Sequence, residues 1–524
     1  MEAYYQYQRI QRAVSQELAE LEKAHSCTGD HRQSHPSRSH NISTQSNGAN
    51  FDENLSDESI IYVHWSSDDD KLNPANFSIA RKTILTAFVS LIGVCVTAAS
   101  AIDAVGLPQY AAEFRTTEVV GGLTTGLFMI GLSFGSLVSG PFSETFGRNL
   151  VYIVTMAVYL LFIMASALAP NITAHLVFRF LAGLFGSTPL TCSGGTVADL
   201  WSPLQKSYAF LIYAIPGFGG PVIGQLIGSF IPSTLGWRWL EWIMLIMGAT
   251  VLVAVLLFQP ETYGDLLLFW KAKALRQQTG NVQYQAPMEV RGEPLKKRLL
   301  IALYRPFAWS RTEPIVLLMA LYLTVVYIVL FTSLEGYRFI FGSTYGLSQG
   351  LTSMTWAAMY VGISLVCLIV PLVYTWTRKE FETTGRIRPE ARLWYAMLGG
   401  APAVPIALFW LGWTSTSSIS IWSPLAASAL LGYGMITIFV SAYLYVIDSY
   451  GIYSSSALGF MAFTRYLVSG GVMIAGGTIY ENCGVPYTLS FLGAVSAVMA
   501  VIPYLFYFNG PRLRARSRHC AVKK

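Results

Sequence analysis

Apolar residues in this chain run in long uninterrupted stretches. Twelve such stretches, each nearly free of charge, begin near residues 83, 119, 150, 174, 207, 240, 314, 350, 394, 421, 456 and 486. A run of about 20 apolar residues matches a hydrocarbon core of about 30 Å at the helical rise. Inside that core only helices and closed barrels satisfy their own backbone groups. The pattern therefore predicts an all-α integral membrane protein with 12 transmembrane helices. The stretches divide into a disordered polar tail at 1–82, six spans at 83–260, a polar loop at 261–313, six spans at 314–508 and a basic tail at 509–524.

Composition agrees: 53% of residues are hydrophobic and only 12% charged, which excludes an ordinary soluble domain. The charges also set orientation. Arg81, Lys82, Arg148, Lys206, the cluster from Lys271 to Arg311, Arg378 to Arg392 and Arg512 to Lys524 fall on one side, while Arg115, Arg238 and Arg338 fall on the other. By the positive-inside rule both tails and the central loop are expected in the cytoplasm. The net charge of +6 then reflects one membrane face, not nucleic-acid binding. Lys296-Lys297-Arg298 reads as a lipid-facing anchor, with an acidic partner as the alternative.

The polar tail lacks an apolar signal-peptide core. Its Asp68-Asp69-Asp70 run reads as solvated charge and not as a metal-diphosphate site. The six cysteines, Cys27, Cys95, Cys192, Cys367, Cys483 and Cys520, have no paired spacing, so neither a disulfide framework nor a metal or cofactor is expected. The sequon Asn171-Ile172-Thr173 lies too close to the bilayer for glycosylation, and Asn41-Ile42-Ser43 lies on the wrong side of it.

Two halves of six spans suggest duplication. Asp199 closes the fourth span and Asp448 the tenth, and a glycine-rich span follows each. By this alignment Arg378-Lys379-Glu380 would occupy the place of Glu144 to Arg148, without the glycines.

The turn Gly140-Pro141-Phe142-Ser143-Glu144-Thr145-Phe146-Gly147-Arg148-Asn149 carries one acid and one base between two spans. It resembles the Gly-x-Leu-x-Asp-Arg-x-Gly-Arg-Lys signature of the major facilitator superfamily, with Gly140, Glu144, Gly147 and Arg148 in matching places and Thr145 and Asn149 replacing two bases. Arg179 and Gly183 are similar to the Arg-x-x-Gln-Gly element of drug:proton antiporters, with Ala182 at the Gln position. Gly220-Pro221-Val222-Ile223-Gly224-Gln225-Leu226-Ile227-Gly228 resembles the antiporter element of the fifth span, with Gln225 and Ser229 as departures.

Asn73-Pro74, Trp237-Arg238-Trp239, Pro260-Glu261-Thr262-Tyr263, Arg305-Pro306-Phe307, Glu313-Pro314-Ile315, Pro389-Glu390-Ala391-Arg392-Leu393 and Asp448-Ser449-Tyr450 resemble the fungal twelve-span drug:proton antiporter branch. The likeness runs from about residue 73 to 513. It implies the major facilitator fold, with two six-helix bundles rocking about a midplane cargo site.

Glycines at 140 and 147 permit tight turns. Glu144 can face a helix N-terminus. Arg148 can reach Asp199, and with Asp448 as its counterpart the set forms a latch between the halves; the plainer alternative makes Arg148 a topology charge. A guanidinium within an apolar span costs about 2.5–3.5 kcal/mol on insertion scales. The resemblance assigns Arg179 to proton coupling; snorkelling from the span end is the alternative. Acids able to exchange a proton are Asp103, Glu241, Glu335 and Asp448, of which Asp103 and Glu335 sit near the outer ends of cavity-lining spans. Arg465, inside the eleventh span, also needs a partner. Gly220, Gly224 and Gly228 form one stripe beside Pro221, either a leak seal or ordinary close packing.

The expected activity is a plasma-membrane, proton-coupled antiporter, not an enzyme, exporting a hydrophobic or amphipathic small molecule such as a drug, toxin or secondary metabolite. Its partners would be that cargo, protons and lipid, and the chain is expected to be monomeric. An importer, an organic-acid or polyamine carrier, and a non-transporting sensor are the competing expectations.

Overall fold

The computed structural model describes residues 1–27, 60–290, 296–297, 299–301, 303–304, 307, 313–451, 454–517 and 520. The sequon at Asn41, Arg298 and Arg305-Pro306 lie outside the described residues. The chain forms two units, Met1–Asn73 with Gly264–Gly292, and Pro74–Tyr263 with Glu293–Lys524.

Of the tail expected to be disordered, residues 28–59 lie outside the described residues, while 1–27 and 60–73 form ordered parts of the smaller unit. Glu2–Cys27 is a helix whose Gln6, Ile10 and Val14 recur every fourth residue and are buried. A polar helix of this length is marginal alone. It packs on a second helix, Gly264–Thr279, cut from the interval expected to be a loop, with Tyr7 edge-on to Trp270 at 5.5 Å. Lys271 is buried between Glu17 at 3.5 Å and the Ser66 hydroxyl at 2.6 Å. A parallel two-residue ladder joins Ile61–Tyr62 to Tyr284–Gln285. Asp70 accepts the N–H groups of Ser66 and Leu72, so the acidic run builds a turn.

Among the described residues the larger unit holds twelve apolar helices: Ile79–Glu113, Val119–Phe146, Arg148–Ala167, Ile172–Leu200, Lys206–Thr234, Arg238–Phe258, Pro314–Thr344, Gln349–Thr384, Pro389–Thr414, Trp422–Tyr450, Ser454–Ile474 and Gly476–Arg516. The last differs most from expectation. It starts ten residues early, kinks at Gly484 (φ +75°) just before Pro486, and continues to Arg516, with Arg514 paired to Glu390.

Duplication is visible in the packing. The first span packs on the fifth as the seventh does on the eleventh, the second on the fourth as the eighth on the tenth, and the third on the sixth as the ninth on the twelfth. The halves meet where the second span crosses the eleventh and the fifth crosses the eighth. Backbones touch in the matching crossings: a methyl at Gly183 would overlap the Phe128 carbonyl, and one at Gly432 the Met359 carbonyl. Small residues at such crossings permit dispersion contact where lipid supplies no hydrophobic drive. The face where the first span starts and the last ends is called the terminal face below, and the opposite one the far face.

Candidate functional site

The first span tightens into a 3-10 turn at Asp103–Gly106 near the far-face end, and Asp103, at its start, is buried. There it meets Arg179 and Glu241. Arg179 Nε lies 2.9 Å from Asp103 Oδ2, Nη1 donates to Glu241 Oε1 at 3.2 Å, and Nη2 donates to the Ala99 carbonyl at 2.6 Å. The guanidinium also lies 4.5 Å from the Phe128 ring centroid. His175, one helical turn before Arg179, brings Nε2 to 3.5 Å from Asp103, and the Ser166 hydroxyl bridges His175 Nδ1 and Glu241. Arg179, His175 and Glu241 are completely buried and Asp103 is nearly so. Tyr110 and Trp237 close the far-face side against His175.

Arg179 therefore does not snorkel; it is enclosed by acids. The ligand-type atoms of Asp103, His175 and Glu241 lie within 4.8 Å of one another, a spacing that could suit a metal ion. The Arg179 guanidinium among them already supplies the positive charge such an ion would bring. Sequence reasoning gave His175 no role, although its i, i+4 spacing to Arg179 was the available signal. Glu335 stands elsewhere, in the other bundle, paired with Arg338 at 3.0 Å.

Arg148 and Asp199 meet, but their contact does not join the halves. Arg148 Nε donates to Asp199 at 3.2 Å and Nη1 to the Ser143 hydroxyl at 2.5 Å, all within the N-terminal bundle. Gly147 adopts φ +88°, and a methyl at Gly195 would come 2.6 Å from Arg148 Nη2. Glu144 ends its own helix, half-buried, and does not cap the next one. That role belongs to Glu261, which accepts the N–H groups of Arg148 and Asn149 at 3.0 and 3.1 Å and those of Thr262 and Tyr263. Burial pushes the Glu261 carboxyl above the usual carboxylate range, while these four N–H groups pull it back.

Arg392 links the halves on the terminal face. Nε donates to Asp448 at 2.6 Å, Nη1 to the Ser207 hydroxyl at 2.6 Å and Nη2 to the Pro203 carbonyl at 2.6 Å. Tyr395 adds a hydroxyl bond to the Ser207 carbonyl. Arg392 with Asp448 thus repeats Arg148 with Asp199, correcting the assignment of Arg378-Lys379-Glu380 to that place. Gly140 lies against Ser455 of the other bundle.

On the far face neutral groups join the halves: Gln109 and Gln349 exchange side-chain bonds, and Gln349 also donates to the Val105 carbonyl. Beside this contact is a cavity of about 480 Å³ between the bundles, whose walls include Gln225, Tyr337, Arg338, Trp356 and Glu481.

The stripe of the fifth span packs on the first. Methyls at Gly220 and Gly224 would overlap Thr97 and the Ala98 carbonyl, and one at Gly228 would press on Ile102. Gln225, a departure from the antiporter element, donates to the Ala101 carbonyl at 2.6 Å.

Arg465 lies midway along the eleventh span, 4% exposed. Nη1 donates to the Tyr443 hydroxyl and Nη2 to that of Tyr466, while Nε has no hydrogen-bond partner among the described residues. Its charge sits against rings: centroids of Tyr466, Tyr327, Tyr443 and Phe439 lie 4.7, 4.8, 5.2 and 5.7 Å away.

Two bundles related by internal repetition, clasped on one face, with a cavity between them and charged groups buried at membrane depth, define a secondary carrier. Residues 89–473 match the family model described as Major Facilitator Superfamily, and the chain belongs to that family. "MFS-type transporter kojT" of Aspergillus flavus is 44% identical over 473 residues, covering 89% of this chain and 84% of the relative. The "Ascochitine biosynthesis cluster MFS transporter" of Didymella fabae is 34% identical over 460 residues, covering 87% and 89%. Among solved structures, the xylose transporter XylE of E. coli superimposes with a TM-score of 0.59 at 13% identity, covering 82% of this chain and 97% of that one. The chain is thus a multi-pass transporter of the major facilitator fold, with fungal relatives.

Proposed function

We propose that the protein exports a hydrophobic or amphipathic small molecule from the cytoplasm across the plasma membrane in exchange for protons. The observation that carries this reading is the Arg179 cluster. Two buried carboxylates, Asp103 and Glu241, face one guanidinium, leaving one negative charge that a proton on His175 or on either acid removes. Burial makes an unbalanced charge costly, so occupancy by that proton and the packing of the first span are linked. The proton is carried inside one bundle while cargo is handled between the two.

Export is supported by the stripe of the fifth span packed on the first and by a relative named for a biosynthesis cluster, which favours a secondary metabolite as cargo. The terminal face is taken as cytoplasmic because Lys and Arg gather there. The test is flux in proteoliposomes of the full chain, using a panel of acidic, neutral and basic aromatic compounds. A pH gradient should drive accumulation of at least one compound, collapsing with protonophore; flux indifferent to the gradient rejects the coupling.

A further inference from the structure

Arg148, Arg179, Arg392 and Arg514 are all buried, and each meets a carboxylate: Asp199, Asp103 with Glu241, Asp448 and Glu390 respectively. Arg465 is equally buried and meets none among the described residues. Phenol hydroxyls and ring faces stand where an acid would. We propose that Arg465 is the cargo anchor, and that it binds the acidic oxygens of a flat, unsaturated organic anion, a carboxylate or enolate attached to a ring-sized body.

The surroundings fit that occupant. A guanidinium edge offers parallel N–H donors matched to a carboxylate, and Nε already lacks a partner. Tyr327 and Tyr466 stand edge to face 5.5 Å apart, giving flat apolar walls for a planar body. The cage lies at the seam of the halves. Its lid comes from the fifth span of the other bundle, where Phe218 meets Phe439 at 5.1 Å and Tyr327 at 5.7 Å, and Phe210 meets Tyr443 at 5.9 Å. Rocking the bundles apart would lift Phe210 and Phe218 away and uncover the guanidinium to the pathway. A cation in the cage repels cationic cargo, which disfavours a polyamine.

This deepens the export reading and rests on it for the existence of a cargo. The test is binding, without any gradient, of 2-naphthoate and its neutral analogue 2-naphthamide to the full chain in nanodiscs, followed by calorimetry. Wild type should bind the acid about ten-fold or more tightly than the amide. Arg465→Gln should level the two by weakening the acid alone, and Arg465→Lys should restore part of the preference. Tyr443→Phe, which frees Nη1 from its hydroxyl, should leave the preference intact or enlarge it and remains informative if Arg465→Gln fails to fold. Equal binding of acid and amide by wild type, no binding of the acid, or a preference that survives in folded Arg465→Gln would overturn the proposal. Loss of gradient-driven flux with the acid preference intact counts against proton coupling alone.

Discussion

Arg179 and Arg465 are both buried guanidiniums in apolar spans, yet their settings are opposite. Arg179 is locked inside one bundle by two carboxylates, a carbonyl and a ring. Arg465 lies at the seam, held by rings and two phenols. The first arrangement sets two acids against one guanidinium. The second meets no carboxylate among the described residues, which is the place the proposal gives to an anionic cargo. On the proposed reading, the charge assigned to coupling is sealed away from cargo, and the charge assigned to recognition is left where the bundles part.

Removing Arg179 should have the largest effect. Arg179→Leu strands two buried acids and is expected to cost about 3–5 kcal/mol, read as a fall in thermal unfolding temperature; adding Asp103→Asn should recover part of it. If Arg179→Leu is harmless, the enclosed ionic cluster is not what holds these spans.

Arg392 sharpens the contrast because it is paired with an acid and also crosses between halves. Arg392→Ala should lose charged hydrogen bonds typically contributing about 1.5–3 kcal/mol each. The terminal face should then open, seen as faster thiol labelling of a cysteine placed at Ser454, which lines the seam beside Gly140 outside the clasp, with slower turnover.

Gly224→Ala pushes a methyl into the Ala98 carbonyl, next to the Ala99 carbonyl that Arg179 holds. Overpacking of this kind costs about 1–3 kcal/mol, and coupling should suffer more than binding, measured as accumulation against exchange.

Arg465→Leu should change stability least, within about 1 kcal/mol of wild type. Its cation–ring contacts, about 2 kcal/mol when desolvated, are offset by removing a charge that costs about 2.5–3.5 kcal/mol to insert. A large destabilisation measured by thermal unfolding would make Arg465 a structural strut and erase the difference from Arg179.

Much of the fold was legible because bilayer thickness dictates span length, and eleven span starts fall within about five residues of the helices. The twelfth was misplaced because Gly484 and Pro486 read as a boundary, whereas the helix only kinks there. The polar tail misled for a different reason: Gln6, Ile10 and Val14 make a narrow stripe in a charged sequence, and its partner lay over 250 residues away. Within the site, Arg179, Asp103, Arg148 and Asp199 could be named because each is a charge beside or within an apolar run. Their pairings could not. Asp103 reaches Arg179 of the fourth span, 76 residues on, whereas Glu335, similar by position, pairs locally with Arg338. Arg392 was hidden in a short motif counted as loop, and Glu261 caps a helix that starts 113 residues earlier.

The most direct test separates the two charges in one assay. Proteoliposomes carrying Asp103→Asn with Glu241→Gln, Arg465→Gln or wild type are compared for gradient-driven accumulation and for gradient-free exchange of one transported aromatic acid. The expected result is that the acid-neutralised protein exchanges cargo but no longer accumulates it, while Arg465→Gln does neither. Accumulation at the wild-type level by the acid-neutralised protein would contradict the assignment of the proton to the Arg179 cluster.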